Sequence, residues 1–228
     1  MSELRDKLLS LPVPGPPAAA AALLALLRQR RSVRHLTTGP FDELILGRVL
    51  AAARLTPAAY GRPAWRLVVI RERQIAFWSL VEECFRATLP PERLARNLTR
   101  LAGFRGGVGA IVVYEDLAVR AELVRDCALD AATAQSFAEQ GLGVVQLALW
   151  LALTAEGLTT SLQHWDALLA EELAAFLDLA PARFRLVSIM PLGYTDEVLP
   201  AGTRRPLDTL VGRESGRGFA LRSAEGHE

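Results

Sequence analysis

The sequence is poor in lysine, cysteine and histidine. Its 228 residues include a single lysine, Lys7, so arginine supplies almost all of the positive charge. Cys84 and Cys127 are far apart and form neither a disulfide framework nor the spacing of a metal site. With only three histidines, the sequence predicts no zinc centre of the usual kinds. A phosphate-binding site would therefore use the planar guanidinium groups of arginine.

The sequence also lacks an excess of either charge and an early membrane-length apolar run. It has 26 basic and 25 acidic residues and a net charge of +1, which predicts neither nucleic acid nor a membrane as a partner. The apolar run over 18–27 is much shorter than the roughly 20 residues of a bilayer span. A proline-rich stretch precedes it instead of a basic signal-peptide region, so we expect a cytoplasmic protein.

The composition suits one folded domain, with 51% hydrophobic and 22% charged residues. Prolines cluster at positions 12, 14, 16 and 17, which predicts that residues 1–16 form an N-terminal arm. We find no internal repeat and no domain linker after this arm. Residues 17–228 are therefore expected to form a single domain.

Helical and strand patterns alternate along the chain. Strands are predicted over 65–70, 110–114, 158–162 and 184–192. Helices are predicted over 17–27, 41–54, 74–88, 91–102, 119–156 and 167–177, with Gly141 and Gly143 as breaks or close-packing points in the fifth. Because helices outnumber and separate the strands, we expect an α/β or α+β sandwich with four or five strands.

Four segments carry residues that could bind a ligand. The first is Arg30-Arg31-Ser32-Val33-Arg34, where residues 30, 32 and 34 of an extended segment would offer two guanidinium groups and a hydroxyl to a phosphate. Basic clusters after a helix are also often only the solvated end of that helix. The loop 56–66 has small residues that would let a flat ring approach the backbone. The other two are the polar segment 161–166 and the turn Arg204-Arg205-Pro206, each of which also has a purely structural interpretation.

Several enzyme classes lack their signatures. No Gly-x-Gly-x-x-Gly follows a strand and no phosphate-binding loop of the Walker type is present, which disfavours Rossmann dehydrogenases and P-loop enzymes. No serine or cysteine nucleophile motif accompanies His164, so a hydrolase is disfavoured as well.

Taken in order, the four segments resemble the FMN-dependent nitroreductase family, from about residue 26 to residue 211. Arg30, Ser32 and Arg34 match its Arg-x-Ser-x-basic segment, and residues 57–63 match in outline its Pro-Ser-small-x-Asn-x-Gln loop. Glu-Gly-Leu at 156–158 and Ser-Leu-Gln-His at 161–164 are similar to the small branch linked to fatty-acid signalling and stress responses. The strand at 189–194 and Arg-x-Pro-Leu at 204–207 complete the match.

The resemblance implies helices around a small mixed sheet of four or five strands, in a homodimer with two FMN sites at the subunit interface. It implies that Arg30 and Arg204 hold the FMN phosphate and that Ser32 donates to the phosphate or the ribityl chain. Arg34 would lie near the N1/O2 edge, where a cation stabilises the anionic reduced flavin. The further cofactor-binding residues that it implies are Arg31, Pro57, Ala58, Ala59, Gly61, Pro63, Ser161, Leu162, Gln163, His164 and Arg205.

The loop departs from the family pattern at three positions. Ala58, Gly61 and Pro63 stand where the family has serine, asparagine and glutamine, and Gly202 stands where it usually has lysine. Each lost hydrogen bond costs on the order of 1 kcal/mol of binding. This leaves open a non-catalytic homodimer that has weakened or lost FMN and binds a lipid or protein partner.

The leading hypothesis is an FMN-dependent NAD(P)H oxidoreductase that reduces nitroaromatic or quinone acceptors by a ping-pong mechanism. A flavin-dependent enone reductase on the same scaffold is an alternative, because one fold hosts several such reactions. Since the flavin performs the chemistry, no catalytic residue is assigned with certainty. Arg34, acting on the flavin, and His164, as a proton donor, are the candidates.

Overall fold

The computed structural model describes residues 17–198, 204, 213–215 and 218–220. The chain divides into two compact units, Met1–Glu197 and Val198–Glu228. The predicted N-terminal arm and Arg205 lie outside the described residues. The division of the chain into this arm and a single domain stays a prediction.

The first unit contains seven described helices and three strands. The helices are α1 (Ala18–Gln29), α2 (Glu43–Arg54), α3 (Gln74–Thr88), α4 (Pro91–Arg105), α5 (Leu117–Cys127), α6 (Ala131–Ala155) and α7 (Asp166–Phe176). The strands are β1 (Trp65–Ile70), β2 (Gly109–Asp116) and β3 (Phe184–Leu192), and a short 3-10 helix spans Ala59–Gly61. In the second unit, β4 (Arg213–Ser215) and β5 (Gly218–Ala220) pair antiparallel.

The main sheet is antiparallel, in the order β1-β2-β3. Every residue of β2 is buried, because this central strand is covered on both faces. The α+β class is confirmed. Among the described residues the main sheet has three strands instead of the expected four or five and is antiparallel instead of mixed, and the hairpin β4-β5 forms a separate sheet. The predicted strand over 158–162 forms only isolated bridges, and the parallel one among them joins Ser32 to Thr160.

The predicted helix over 119–156 is two helices. Ala128 adopts a left-handed conformation with φ 53° at the end of α5, and the Asp130 side chain then caps α6 by accepting from the Thr133 N–H. Gly141 and Gly143 do not break α6, and a Cβ atom added at either would meet nothing within 4 Å among the described residues. The prediction that these glycines break the helix is therefore wrong, and neither is a close-packing point among the described residues of the chain.

Helix α6 lies at the centre of the first unit. Its buried residues include Leu142, Val145, Leu149 and Leu153, and it contacts α2, α5 and the sheet. It is the one described helix long and apolar enough to cross a bilayer by composition. Since this buried face belongs to the hydrophobic core, α6 is not evidence for a membrane span.

Helix α4 packs directly on the backbone of residues 34–36. A Cβ atom on Gly103 would lie 2.1 Å from the Arg34 carbonyl oxygen, and one on Gly106 would lie 2.3 Å from that of Leu36. The Leu36 N–H donates to the Gly103 carbonyl at 3.0 Å. Only glycine permits this approach, so these two positions determine where the segment 30–36 lies.

Replacing Gly103 by alanine is expected to destabilise the protein by about 1–3 kcal/mol, because the helix and the Arg34 backbone must separate. Gly47 is a matched control in the interior of α2, where an added Cβ meets no described atom. Gly47→Ala is expected to be neutral or to stabilise by about 0.5–1 kcal/mol. Urea unfolding measures both changes, and equal effects of the two substitutions would contradict the packing argument.

Candidate functional site

Two of the four sequence segments meet at the β3 edge of the sheet. The Thr159 N–H donates to the Gly193 carbonyl at 2.7 Å, and the Gln163 N–H donates to that of Ile189 at 2.9 Å, which fastens residues 159–163 beside β3. Ser32 then pairs with Thr160, and the Val33 N–H donates to the Thr160 carbonyl at 3.3 Å. The segments 30–34 and 161–164 are thus neighbours.

The segment 30–34 alternates in direction as its pattern predicts. Val33 is buried, while Ser32 and Arg34 are exposed. The Arg30 guanidinium stacks over the Trp150 ring at 4.5 Å from its centroid, a cation–π contact that fixes the side chain. Ser32 and Arg34 therefore present a hydroxyl and a cation from the same outer face.

The segment 161–164 divides into inward and outward residues. The Gln163 amide donates to the Ser161 hydroxyl at 2.8 Å, and both side chains are buried. The backbone N–H and carbonyl of Gln163 are both bonded to Ile189. Leu162 is half-buried and His164 is exposed, so these two residues are the members of the segment that a ligand could touch.

The loop 57–63 adopts a tight, strained turn. Tyr60 and Gly61 have φ values of 53° and 69°, which places two successive residues in the left-handed region. Tyr60 is 60% exposed, and its ring lies 6.4 Å from that of Phe137. Ala58 and Ala59 beside the turn are half-buried, and a Cβ atom added at Gly61 would meet nothing within 4 Å among the described residues.

Within residues 17–198, one chain does not bring this loop to the segments 30–34 and 161–164. The loop leads into Trp65, at the start of β1, whereas residues 159–163 and Ser32 lie beyond the β3 edge. At about 4.8 Å for each strand spacing, three spacings from β1 to residues 159–163 amount to roughly 14 Å. The predicted cofactor-binding residues of the first unit therefore form two groups on opposite edges of the sheet.

A buried carboxylate anchors the loop end. Asp116 is 1% exposed and accepts from Arg66 at 2.8 Å and from Arg183 at 3.0 Å. Arg66 also donates to the Pro63 carbonyl at 2.9 Å, which ties the loop to this ion pair. Hydrogen bonding from Arg183, together with the Ala118 N–H, lowers the pKa of Asp116 despite its burial.

A cavity of about 640 Å³ opens beside the segment 30–36. Its lining includes Arg34, His35, Arg96, Thr99 and Arg100. Desolvation lowers the pKa of the Arg100 guanidinium, and repulsion from Arg34 and Arg96 lowers it further. Three arginines and one carboxylate, Glu197, line the cavity, so its lining carries a net positive charge.

The sequence prediction missed Arg96 and Arg100. The signal was present in the spacing, because arginines at 93, 96 and 100 recur at three and four residues along a helix. That spacing indicates one basic helix face. It does not indicate that the face adjoins Arg34, since this depends on the close packing at Gly103.

The structure gives little information about the predicted phosphate-binding residues Arg204 and Arg205. Arg204 is exposed and belongs to the second unit, and Arg205 is outside the described residues. Across the described positions no three side chains of histidine, cysteine, aspartate or glutamate gather to hold a metal ion.

Comparison with known proteins shows the family. The nitroreductase family model matches residues 27–194, and the chain therefore belongs to the nitroreductase family. No curated protein matches the chain.

Solved nitroreductases share the fold. The nitroreductase CinD from Lactococcus lactis, in complex with chloramphenicol, is 27% identical with a TM-score of 0.70, over 82% of this chain and 96% of CinD. CinD has the same 27% identity in its complex with 4-nitrophenol, with a TM-score of 0.67 over 82% and 96% of the two chains. A nitroreductase with bound FMN from Desulfitobacterium hafniense is 19% identical, with a TM-score of 0.62 over 81% and 94%.

Asp116→Asn is expected to destabilise the protein by about 1–2 kcal/mol at pH 7, because it removes the charge that Arg66 and Arg183 contact. The cost is modest because both arginines are partly exposed and solvent screens the interaction. The lowered pKa means that the charge of Asp116 stabilises fully above its ordinary value of 3.8 and that this contribution is lost as the pH falls through the folded-state value. The difference between wild type and variant should thus shrink toward low pH. Urea unfolding at several pH values tests this, and a difference independent of pH would contradict it.

Proposed function

We propose that this protein binds FMN between two copies of its chain and is an NAD(P)H-dependent oxidoreductase. The observation that carries the proposal is the outward-facing pair Ser32 and Arg34 beside residues 161–164 in a nitroreductase family member. Structures of relatives with bound FMN and with 4-nitrophenol support the cofactor and the acceptor class.

The two separated groups of residues favour a homodimer. Helix α1 has no buried residue although it is almost wholly apolar, and Leu23 and Leu24 on it are exposed. Val144 and Leu147 on α6 are exposed beside Gly143. Apolar surface of this kind marks an interface, and a two-fold interface repeats each contact. Pairing two chains would place the loop of one beside the segment 30–34 of the other.

The side chains fit the cofactor. Guanidinium groups bind a phosphate through paired hydrogen bonds, which is the role proposed for Arg30 and Arg204. The family resemblance assigns Arg31 and Arg205 to the cofactor as well. Ser32 supplies a hydroxyl donor, and Arg34 supplies a cation for the N1/O2 edge.

Bound FMN would supply the two-electron chemistry between NAD(P)H and a nitroaromatic or quinone acceptor, in two half-reactions. The residues of the chain would orient the flavin and stabilise its reduced form. Ala58, Ala59 and Gly61 leave room for a flat ring against the loop backbone. In this proposal Arg34 stabilises negative charge at the ring edge, and His164, which is exposed, is the candidate proton donor. An enone acceptor would use the same groups.

The altered loop favours a second candidate function, a non-catalytic homodimer. Ala58, Gly61 and Pro63 supply no side-chain hydrogen bond to a flavin, so FMN affinity would be lower than the family pattern gives. Such a protein would bind a lipid or a protein partner instead.

A visible absorption spectrum of the purified protein decides between these candidates. We expect flavin bands that bleach on anaerobic addition of NADH or NADPH, because the bound cofactor is reduced. A colourless protein that gains neither absorbance nor thermal stability with excess FMN would support the non-catalytic candidate.

Gly61→Asn is expected to tighten FMN binding about fivefold, since it restores an amide worth on the order of 1 kcal/mol. Asparagine tolerates the left-handed conformation that Gly61 adopts at φ 69°, so the melting temperature should change little. Gly61→Ala is the control that lacks the amide. Alanine tolerates the left-handed conformation less well than asparagine, so this variant should also have a lower melting temperature. Fluorescence titration with FMN measures affinity, and equal affinities of the two variants would exclude this role for position 61.

A further inference from the structure

The cavity beside Arg34 points to a particular class of electron acceptor. Resting on the proposed function, we propose that the acceptor carries an anionic group, such as an aromatic carboxylate, which Arg96 and Arg100 bind at the far end of the cavity from the flavin. The proposal concerns the specificity of the site rather than its chemistry.

The geometry places three guanidinium groups around one space. Arg96 and Arg100 are one turn apart on α4 and both line the cavity. Arg34 lines it from the opposite element, because Gly103 brings α4 against the Arg34 backbone. At about 640 Å³ the cavity lies within the usual range for sites that bind small molecules.

The arginines of this cavity lack the carboxylate partners that many other arginines of the described residues have. Arg34, Arg96 and Arg100 make no ion pair with any residue between 17 and 198 that the structure describes. Many other arginines do pair with carboxylates, namely Arg48, Arg62, Arg66, Arg71, Arg86, Arg105, Arg120, Arg125, Arg183 and Arg185. Arg34 and Arg96 are exposed and Arg100 is half-buried. Three cations that repel one another around one cavity would be stabilised by a bound anion.

The cofactor accounts for part of this charge only. Under the proposed function the FMN phosphate belongs to Arg30 and Arg204, and Arg34 belongs to the ring edge. Arg96 and Arg100 are then left without a cofactor group to bind. Glu197 is the carboxylate among the lining residues, and it forms no ion pair with these arginines.

The reaction balances for a nitroaromatic carboxylate. NAD(P)H supplies a hydride, and solvent supplies one proton. The nitro group takes up two electrons and two protons, loses one oxygen as water and becomes a nitroso group. The carboxylate is unchanged throughout and serves only to orient the ring.

The test compares two acceptors of the same size, para-nitrobenzoate and para-nitrobenzamide, with FMN-loaded protein. We expect wild type to prefer the anion in kcat/KM, and Arg96→Gln and Arg100→Gln each to lower this preference about tenfold. Arg93→Gln is the matched control, because Arg93 lies on the same helix but does not line the cavity. It should leave the preference unchanged.

A binding measurement removes the dependence on turnover. Calorimetric titration of the FMN-loaded protein with benzoate and with benzamide should show tighter binding of benzoate, and Arg100→Gln should reduce that difference about tenfold. Raising the salt concentration should weaken benzoate binding more than benzamide binding.

The outcomes separate this inference from the proposed function. Absence of flavin, or flavin that NAD(P)H does not reduce, would overturn the proposed function. A reducible flavin with no preference for the anion would overturn the inference alone. Equal losses for both acceptors would assign Arg96 and Arg100 to the cofactor. A loss of activity with NADPH but not with NADH would assign Arg96 and Arg100 to the 2′-phosphate of NADPH. Either of these last two results would overturn the proposal.

Discussion

The close contact between α4 and residues 34–36 is the constraint on which the candidate site depends. Gly103 and Gly106 let the helix reach the backbone carbonyls of Arg34 and Leu36, and β3 with residues 159–163 holds the other side. The segment 30–36 is therefore fixed between a helix and a sheet edge. Ser32 and Arg34 face outward as a result, and Arg96 and Arg100 come to share a cavity with Arg34.

The sheet imposes a second constraint, because it separates the two groups of residues that a flavin would need. Residues 57–63 lead into β1, while Ser32 and residues 161–164 lie beyond β3. Arg66 ties the loop end to the buried Asp116, so a large movement of the loop toward β3 would break the contacts of Arg66 with the Pro63 carbonyl and the Asp116 carboxylate. A second chain is the simpler way to complete the site.

Local patterns predicted the regular elements well. The strands over 65–70 and 184–192 and the helix over 74–88 have the predicted bounds, because their apolar periodicity is long and uninterrupted. The break at Ala128 was missed, since alanine favours helix and only the Asp130 cap marks the restart. The sheet has fewer strands than expected because residues 159–163 make bridges rather than a continuous ladder.

The sequence predicted those parts of the candidate site that consist of short motifs, but not the contacts between segments that are distant in the sequence. The pairing of the segments 30–34 and 161–164 and the cationic cavity arise from tertiary packing at glycines, whose close contacts leave no periodic signal. The inward orientation of Gln163 depends on a different tertiary contact, because its amide donates to the buried Ser161 hydroxyl.

The central claim is that each site combines the segment 30–34 of one chain with the loop of the other. It is tested most directly by mixing two variants, Ser32→Trp and Ala58→Trp, under conditions that exchange subunits. Neither homodimer should bind FMN, while the mixed dimer retains one intact site and should bind one FMN per dimer. A mixture that binds no FMN, although both variants are folded dimers, would contradict the account.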